Sequence, residues 1–172
     1  YLYTTQSLGV EYGRKDGPAD LDTIYSSLKD ELEALSDSDW STGHSVSGFV
    51  LFLAGAALLW ASKKQPVTSL SSAEAEYYAA SACGVDVLSM RLFLDSLGAP
   101  SLTPTLVHVD NSACVDLAKD FNSCKRAKHI DRRVNFLSDY HARGDIQVVH
   151  INTKLNVADT FTKPLPKPAF LK

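Results

Sequence analysis

The sequence lacks the features that are typical of disulfide-bonded, zinc-binding, membrane-spanning and secreted proteins. It has only three cysteines among 172 residues and no C-x-x-C pair, so neither a disulfide framework nor a zinc site is expected. The longest apolar run, from Phe49 to Trp60, is too short to span a bilayer and is interrupted by Gly55. No signal-peptide pattern is visible, and the chain begins with Tyr1 rather than Met. We therefore expect an intracellular protein with no membrane partner, cut from a longer one.

Net charge is also small, at −3, but it is unevenly distributed. Residues 1–118 contain 6 Lys and Arg against 15 Asp and Glu, whereas residues 119–172 contain 11 against 5. The densest basic cluster comprises Lys125, Arg126, Lys128, His129, Arg132 and Arg133. Such a cluster either holds the phosphates of a nucleic acid or forms a solvated helix face, and both interpretations stay open.

The length and the order of the hydrophobic patterns predict one α/β domain. Two β-rich runs, 46–53 and 57–62, are separated by a turn-sized gap with Gly55 and predict a hairpin. Further strands are expected at 34–40, 106–110 and 146–151, and helices at 71–97, 111–119, 125–141 and 157–162. Residues 1–12 fit a short strand and 13–22 a loop, while 24–35 fit either a helix or a strand. This order predicts a mixed five-stranded sheet with helices on both faces.

The longest predicted helix carries a carboxylate where an apolar side chain is expected. Ser71 followed by Glu74 has the spacing of a capping box, and Gly98 marks the end of the helix. At 3.6 residues per turn, one stripe contains Glu76, Ala80, Cys83, Val87, Met90 and Leu94. A Glu at the head of a buried stripe is costly unless it is paired, protonated or bound to a metal. Glu76 is therefore a candidate functional residue.

Three more acids fall at the ends of predicted elements, although each also has a structural explanation. Asp37 lies at the end of the first strand and is a candidate turn residue, and Asp39 would point the same way in an extended strand. Asp110 ends the strand at 106–110 and is a candidate helix cap, while Asp159 suits a helix start. Ligands of open α/β sheets bind beyond the carboxyl ends of parallel strands. If the acids meet there, they require cations, and carboxylate oxygens favour Mg²⁺ or Mn²⁺.

Several motifs, in this order, closely resemble the ribonuclease H region of copia-type (Pseudoviridae-like) LTR retrotransposon polyproteins. They include Ser-Asp-Ser-Asp-Trp at 36–40, Leu-Ser-Ser-Ala-Glu-Ala-Glu-Tyr at 70–77, Val-Asp-Asn-Ser-Ala at 109–113, Lys-His-Ile-Asp-Arg-Arg at 128–133 and Asn-Val-Ala-Asp-Thr-Phe-Thr-Lys-Pro at 156–164. The resemblance covers nearly the whole chain. It implies a ribonuclease H-like fold at 31–172, with 1–30 as the tail of the connection from a reverse transcriptase.

The resemblance also implies an activity and its residues. The activity is Mg²⁺-dependent hydrolysis of the RNA strand of an RNA/DNA hybrid, by a reverse transcriptase polyprotein inside a cytoplasmic virus-like particle. The family's metal ligands fall on Asp37, Glu76, Asp110 and Asp159, which would hold two Mg²⁺ ions, with Mn²⁺ as a substitute. Asp37 is thereby preferred over Asp39. Two departures are a short loop at 41–46 and the absence of His from 152–155.

Substrate contacts are expected from small polar groups near the strand ends, because ribose is distinguished by contacts to 2′-hydroxyls. The candidates are Ser38, Ser72 and Asn111, with local capping as the alternative for each. Trp40 and Trp60 are expected to pack in the core or at its rim, and His108 to be an interior residue. Two rival functions are a catalytically silent binding or scaffolding domain and an integrase-like strand transferase.

Overall fold

A computed structural model of the chain describes residues 32–40, 44–119 and 132–166, without the side chains of 132–134. The strands are β1 (Leu32–Asp39), β2 (Val46–Leu53), β3 (Ala56–Lys64), β4 (Thr105–Val109) and β5 (Ile146–His150). The helices are α1 (Ser72–Ser96), α2 (Ser112–Lys119), α3 (Arg132–Arg143) and α4 (Asp159–Thr162), and a 3₁₀ turn covers Thr153–Leu155. The predicted strand at 1–12, the loop at 13–22, the boundary at residue 30 and the side chains of Lys125, Arg126, Lys128 and His129 lie outside the described residues.

The five strands form one mixed sheet, as predicted, in the order β3-β2-β1-β4-β5. β1 pairs antiparallel with β2 and parallel with β4, and β4 pairs parallel with β5. The carboxyl ends of β1, β4 and β5 therefore lie at the same edge of the sheet. Asp37 near the end of β1 and Asp110 just after β4 are brought to that edge by the pairing.

Helices cover both faces of the sheet, but unequally. α1, α2 and α3 pack on one face around a core that includes Tyr77, Val107 and Leu137. On the other face, α4 packs against β1 and β2, where Ala158 joins Leu35 and Val50 in a small second cluster. Among the described residues, no helix is both long and apolar enough to cross a membrane.

Local sequence signals set the hairpin and the ends of α1. Ala54 and Gly55 both have positive φ angles, 52° and 75°, as a two-residue turn of type I′ requires. At the start of α1, the Ser71 side chain accepts a hydrogen bond from the backbone N–H of Glu74, as predicted. At its end, Gly98 has a φ of 79° and donates its N–H to the Asp95 carbonyl, and the next residue bonds Leu94. This pair of bonds is a Schellman motif.

The expectation that β4 is covered on both sides, with His108 in the interior, is wrong. Leu106 is 36% exposed, and His108 is only half-buried, with its Nε2 atom 3.5 Å from Oε2 of Glu33. The reason is the position of α4, which lies over β1 and β2 and leaves this face of β4 open in the described part of the chain. A run of apolar residues alone does not reveal such one-sided cover.

Candidate metal centre

Three carboxylates from three separate elements meet at the edge of the sheet. Asp37, Glu76 and Asp110 each place one carboxylate oxygen within 4.8 Å of those of the other two. Asp37 is near the end of β1, Glu76 is in the second turn of α1, and Asp110 immediately follows β4. These are three of the four acids predicted from the sequence. Asp39 lies outside the group, so the choice of Asp37 over Asp39 agrees with the geometry.

Glu76 is held in a buried position by the way α1 begins. Glu76 is only 6% exposed, and its Oε1 atom accepts a hydrogen bond from the backbone N–H of Ser38 at 3.2 Å. Oε2 is buried and has no hydrogen-bond partner among the described residues. Glu74, two residues earlier, instead accepts from the N–H of Leu70 at 2.7 Å, outside the cluster. The prediction that Glu76 heads the buried stripe, while Glu74 serves to cap the helix, is confirmed.

Burial and mutual repulsion shift the acidity of two of these groups. Burial, followed by the charges of Asp37 and Asp110, raises the pKa of Glu76 to about 8. Burial is also the main reason why the pKa of Asp37 is raised to about 6, and the Thr162 hydroxyl, which bonds the carboxylate, opposes that rise. Without a bound cation, a carboxyl group in this cluster is therefore protonated near neutral pH. A bound cation would stabilise the ionised carboxylates, so that the proton would be released.

Asp159 lies beside the three-carboxylate group but not in it. Its Oδ1 atom is 2.9 Å from Nζ of Lys163, one turn further along the chain. The Asp159 carboxylate also raises the pKa of Asp37, both by its charge and by a side-chain hydrogen bond, so the two groups are neighbours. Thr162, between Asp159 and Lys163, donates its hydroxyl to Oδ2 of Asp37. α4 therefore brings one acid, one hydroxyl and one ammonium group to the Asp37 side of the site.

Two buried amide side chains position the site, and the sequence interpretation did not single out either. Asn156 is 4% exposed, donates its Nδ2 to the Ser36 carbonyl at 3.0 Å and accepts from the N–H of Ala158. It thereby fixes the start of α4 against β1. The only available signal was its place in the motif at 156–164, three residues before Asp159.

Gln65 plays the corresponding part near α1. It is 3% exposed, and its Nε2 donates to both Oγ of Ser47 and the carbonyl of Ala75 at 2.9 Å. Its Oε1 accepts from the hydroxyl of Ser69 at 3.0 Å. Because Ala75 precedes Glu76, this network ties β2, the end of β3 and the start of α1 together behind the carboxylates. No periodic pattern in the sequence marks Gln65.

The predicted substrate contacts have different environments. Ser38 is 8% exposed, its N–H donates a hydrogen bond to Glu76, and its hydroxyl is buried. Ser72 is exposed in the first turn of α1. The Asn111 side chain accepts a hydrogen bond from the N–H of Cys114 at 3.2 Å, so it caps α2, which was its alternative interpretation. Lys125, Arg126, Lys128 and His129 are not among the described residues.

The residues present fit a hard divalent cation. All three converging ligand atoms are carboxylate oxygens, which are the ligands that Mg²⁺ and Mn²⁺ prefer. Oε2 of Glu76 is buried, and within the part of the chain that the structure describes no donor bonds it. A divalent ion is the ordinary way to satisfy such an atom among like charges. The geometry therefore supports a cation at the Asp37, Glu76 and Asp110 group.

Comparisons with known proteins relate the chain to retrotransposon Pol polyproteins. No family model matches the chain. It is 32% identical over 143 residues to the retrovirus-related Pol polyprotein of transposon TNT 1-94 from Nicotiana tabacum, which covers 83% of the chain and 11% of the polyprotein. The Pol polyprotein of transposon RE1 from Arabidopsis thaliana is also 32% identical over 143 residues, covering 81% of the chain and 10% of the relative. The chain thus spans about a tenth of the length of these relatives.

Solved structures of ribonucleases H share the fold. The LC11 ribonuclease H1 isolated from compost matches with a TM-score of 0.57 at 17% identity, over 77% of this chain and 92% of that one. The N-terminal ribonuclease H domain of a Mycobacterium tuberculosis protein matches with a TM-score of 0.56 at 15% identity, over 81% and 94%. The prototype foamy virus protease-reverse transcriptase matches with a TM-score of 0.50 at 15% identity, over 88% and 22%. The chain therefore belongs to the copia-type retrotransposon Pol polyproteins, as a segment of that family with the ribonuclease H fold.

Proposed function

We propose that the chain is a divalent-cation-dependent endonuclease that hydrolyses the RNA strand of RNA/DNA hybrids during reverse transcription. The observation that carries the proposal is the convergence of Asp37, Glu76 and Asp110 within 4.8 Å, in a fold shared with ribonucleases H. A group of three carboxylates, two of them buried, is unfavourable in a protein that does not use it, because each charge destabilises the others. The Pol relatives supply the context of reverse transcription.

Four acids would hold two Mg²⁺ ions, for which Mn²⁺ would substitute. In this proposal Asp37 would serve both positions, Glu76 and Asp110 would serve one each, and Asp159 would complete the second. When bound, a pair of such ions supplies an activated water and neutralises the charge that develops at the scissile phosphate. Oδ1 of Asp159 is paired with Nζ of Lys163 at 2.9 Å, so an ion at this position would compete with the ammonium group for that carboxylate. The second position is therefore the weaker of the two.

The chain's own residues prepare the first position. The Ser38 N–H directs Oε1 of Glu76, which leaves Oε2 free to bind. The Thr162 hydroxyl orients the carboxylate of Asp37 from the opposite face of the sheet. Both bonds are available before any ligand arrives, so the oxygens need little rearrangement to bind an ion. The partner in this proposal is a reverse transcriptase domain of the same polyprotein, and a virus-like particle in the cytoplasm is the location that goes with it.

The test is a cleavage assay on the 172-residue chain. End-labelled RNA is supplied in an RNA/DNA hybrid and in duplex RNA, and labelled duplex DNA is a third substrate, each with Mg²⁺ or with EDTA. We expect cleavage of the hybrid alone, in Mg²⁺ alone. Asp110→Asn should fold normally and lose cleavage by at least about 100-fold, whereas Asp39→Asn, outside the group, should keep it.

Other outcomes would favour the rival functions. Tight hybrid binding without cleavage by the wild-type chain would favour a catalytically silent binding or scaffolding domain. Nicking or joining of duplex DNA would favour an integrase-like strand transferase. Wild-type activity in Asp110→Asn would remove that residue from the site.

A further inference from the structure

Trp40 is an exposed aromatic residue just after β1, the strand that carries Asp37, and it has no part in the proposed chemistry. Its residue is 53% exposed, immediately after β1. The indole Nε1 donates a hydrogen bond to the carbonyl of Ser69 at 3.3 Å. Of the two expected positions, the core and its rim, the core is therefore excluded for Trp40. One edge of the ring is fixed, and about half of the residue's surface stays open to solvent.

The anchor of Trp40 joins the two elements that carry Asp37 and Glu76. Trp40 is three residues after Asp37, and Ser69 is three residues before the first residue of α1. Ser69 is 5% exposed and donates its own hydroxyl to the buried Gln65. The ring is thus attached to the same buried network that holds the start of α1. Its position relative to the carboxylates is set by the fold rather than by a freely rotating side chain.

Lys163, the ammonium group described at the site, is already paired with Asp159, so it offers a phosphate chain little attraction. The groups nearest in sequence to the three carboxylates include further acids, Asp39 and Glu74. A nucleic acid that approaches them is repelled until cations are bound. An uncharged surface at the rim of the site would supply affinity that does not depend on those cations. An aromatic ring provides a large contact area of this kind.

We infer that Trp40 contacts the substrate, with its indole packed against the sugars of the nucleic acid strand beside the scissile phosphate. The inference deepens the proposed function and rests on it for the identity of the strand. A hybrid presents its sugars in a wide, shallow minor groove, where a flat side chain can reach them. The contact makes no demand on base sequence, as a nuclease of this kind requires.

Trp60 provides a matched control for this contact. It is 54% exposed, almost the same as Trp40, but lies in the middle of the edge strand β3. The chain has only two tryptophans. Trp40→Leu and Trp60→Leu are therefore two single-tryptophan proteins that differ in which ring remains. Circular dichroism and thermal melting show whether each variant is folded before binding is compared.

Binding of a fluorescently labelled hybrid is measured by anisotropy in EDTA, where no cleavage occurs. We expect Trp40→Leu to weaken binding about tenfold and Trp60→Leu to change it less than about twofold. Addition of unlabelled hybrid should quench the emission of Trp40 in Trp60→Leu, and leave that of Trp60 in Trp40→Leu unchanged. In Mg²⁺, Trp40→Leu should raise KM with little change in kcat. Trp40→Phe, which keeps a ring but loses the N–H anchor, should retain most of the affinity.

Two results would overturn the inference: equal hybrid affinity for folded Trp40→Leu and wild type, or no hybrid binding by the wild type. Cleavage in Mg²⁺ tests the proposed function independently of binding. A wild-type chain that binds hybrid through Trp40 and does not cleave it in Mg²⁺ refutes the nuclease and leaves the contact established.

Discussion

A methyl group placed on Gly48 of β2 would lie 2.6 Å from Cγ2 of Thr162 and 2.8 Å from Cβ of Phe161 in α4. No side chain fits between β2 and α4 at this point, because real carbon atoms do not approach so closely. Gly48 is paired with Asp37 across the sheet. The same close approach brings the Thr162 hydroxyl to the Asp37 carboxylate. The absence of a side chain at Gly48 is thus a condition for the α4 side of the site.

Gly48→Ala should displace α4 and impair the site. We expect a loss of about 1–3 kcal/mol in the free energy of unfolding, the usual cost of overpacking, together with a fall in hybrid cleavage. Urea unfolding and the gel assay measure the two effects. Thr162→Ser removes Cγ2 but keeps the hydroxyl, so the double variant Gly48→Ala/Thr162→Ser should recover part of both losses. Wild-type stability in Gly48→Ala would show that α4 is not held as closely as described.

The raised pKa of Glu76 makes the stability of the cation-free chain depend on pH. Its carboxyl group binds a proton more tightly in the folded chain, with a pKa of about 8, than at the ordinary value of 4.5. The folded state therefore holds more protons than the unfolded state between these values, and stability falls as pH rises through them. In EDTA, the free energy of unfolding should drop by on the order of 3 kcal/mol from about pH 5 to about pH 9. Urea titrations across this range measure the slope.

Two variants separate this effect from general pH sensitivity. Glu76→Gln is neutral at every pH, so its stability should be much flatter over the same range. Glu74→Gln, on the same helix but outside the carboxylate group, should keep the wild-type slope. Mg²⁺ favours the ionised carboxylates, so adding it should stabilise the wild-type chain more at the alkaline end. A wild-type slope in Glu76→Gln would rule out Glu76 as the cause.

How far the site was predictable depends on where each contact comes from in the sequence. Glu76 was recognisable because a carboxylate interrupts an otherwise apolar stripe of α1, and a separate capping role was available only for Glu74. Asp37 and Asp39 were not separable by strand periodicity, since both point to the same side. What distinguishes them is Thr162, which bonds Asp37 rather than Asp39 and lies 125 residues further along the chain. Such long-range partners leave no periodic signal.

The fold shows the same division. The hairpin was predictable because the 54–56 gap supplied residues for a tight turn, although β3 extends two residues beyond the predicted run, to Lys64. The apolar run around His108 predicts a strand that is covered on both faces, with His108 in the interior. That cover depends on the length and position of α4, which has only four residues. Burial of a strand is thus a property of its neighbours as well as of its own sequence.

Gln65 should contribute strongly to the free energy of unfolding, because the hydrogen bonds of its side-chain amide are made in the interior. Gln65→Leu removes hydrogen bonds to Ser47, Ser69 and the Ala75 carbonyl. A buried polar group left without a partner costs about 1–3 kcal/mol, so a loss of about 3 kcal/mol in the free energy of unfolding is expected. Ser47→Ala removes one partner only and should cost about 1 kcal/mol. Equal losses in the two variants would show that the Ser47 bond alone accounts for the effect.

Lys163 should weaken cation binding at the second position of the site. Its ammonium group is 2.9 Å from Oδ1 of Asp159, and its charge partly opposes the rise that burial causes in the pKa of Asp37. A divalent ion entering beside Asp159 must displace this ammonium group or be repelled by it. Lys163→Met should therefore strengthen binding of the weaker Mn²⁺ ion by about fivefold, the scale expected for a partly exposed ion pair. Isothermal titration calorimetry of the chain with Mn²⁺ measures both positions.

Lys163→Arg keeps the positive charge and is the control, with affinities close to those of the wild type. The stronger position, at Asp37, Glu76 and Asp110, contains no ligand that pairs with Lys163, so its affinity should change less than that of the weaker one. An unchanged or weaker second affinity in Lys163→Met would mean that the ammonium group does not compete with the ion. The ion pair with Asp159 would then serve to hold α4 at the site. Asp159 would have to bind its cation without displacing Lys163.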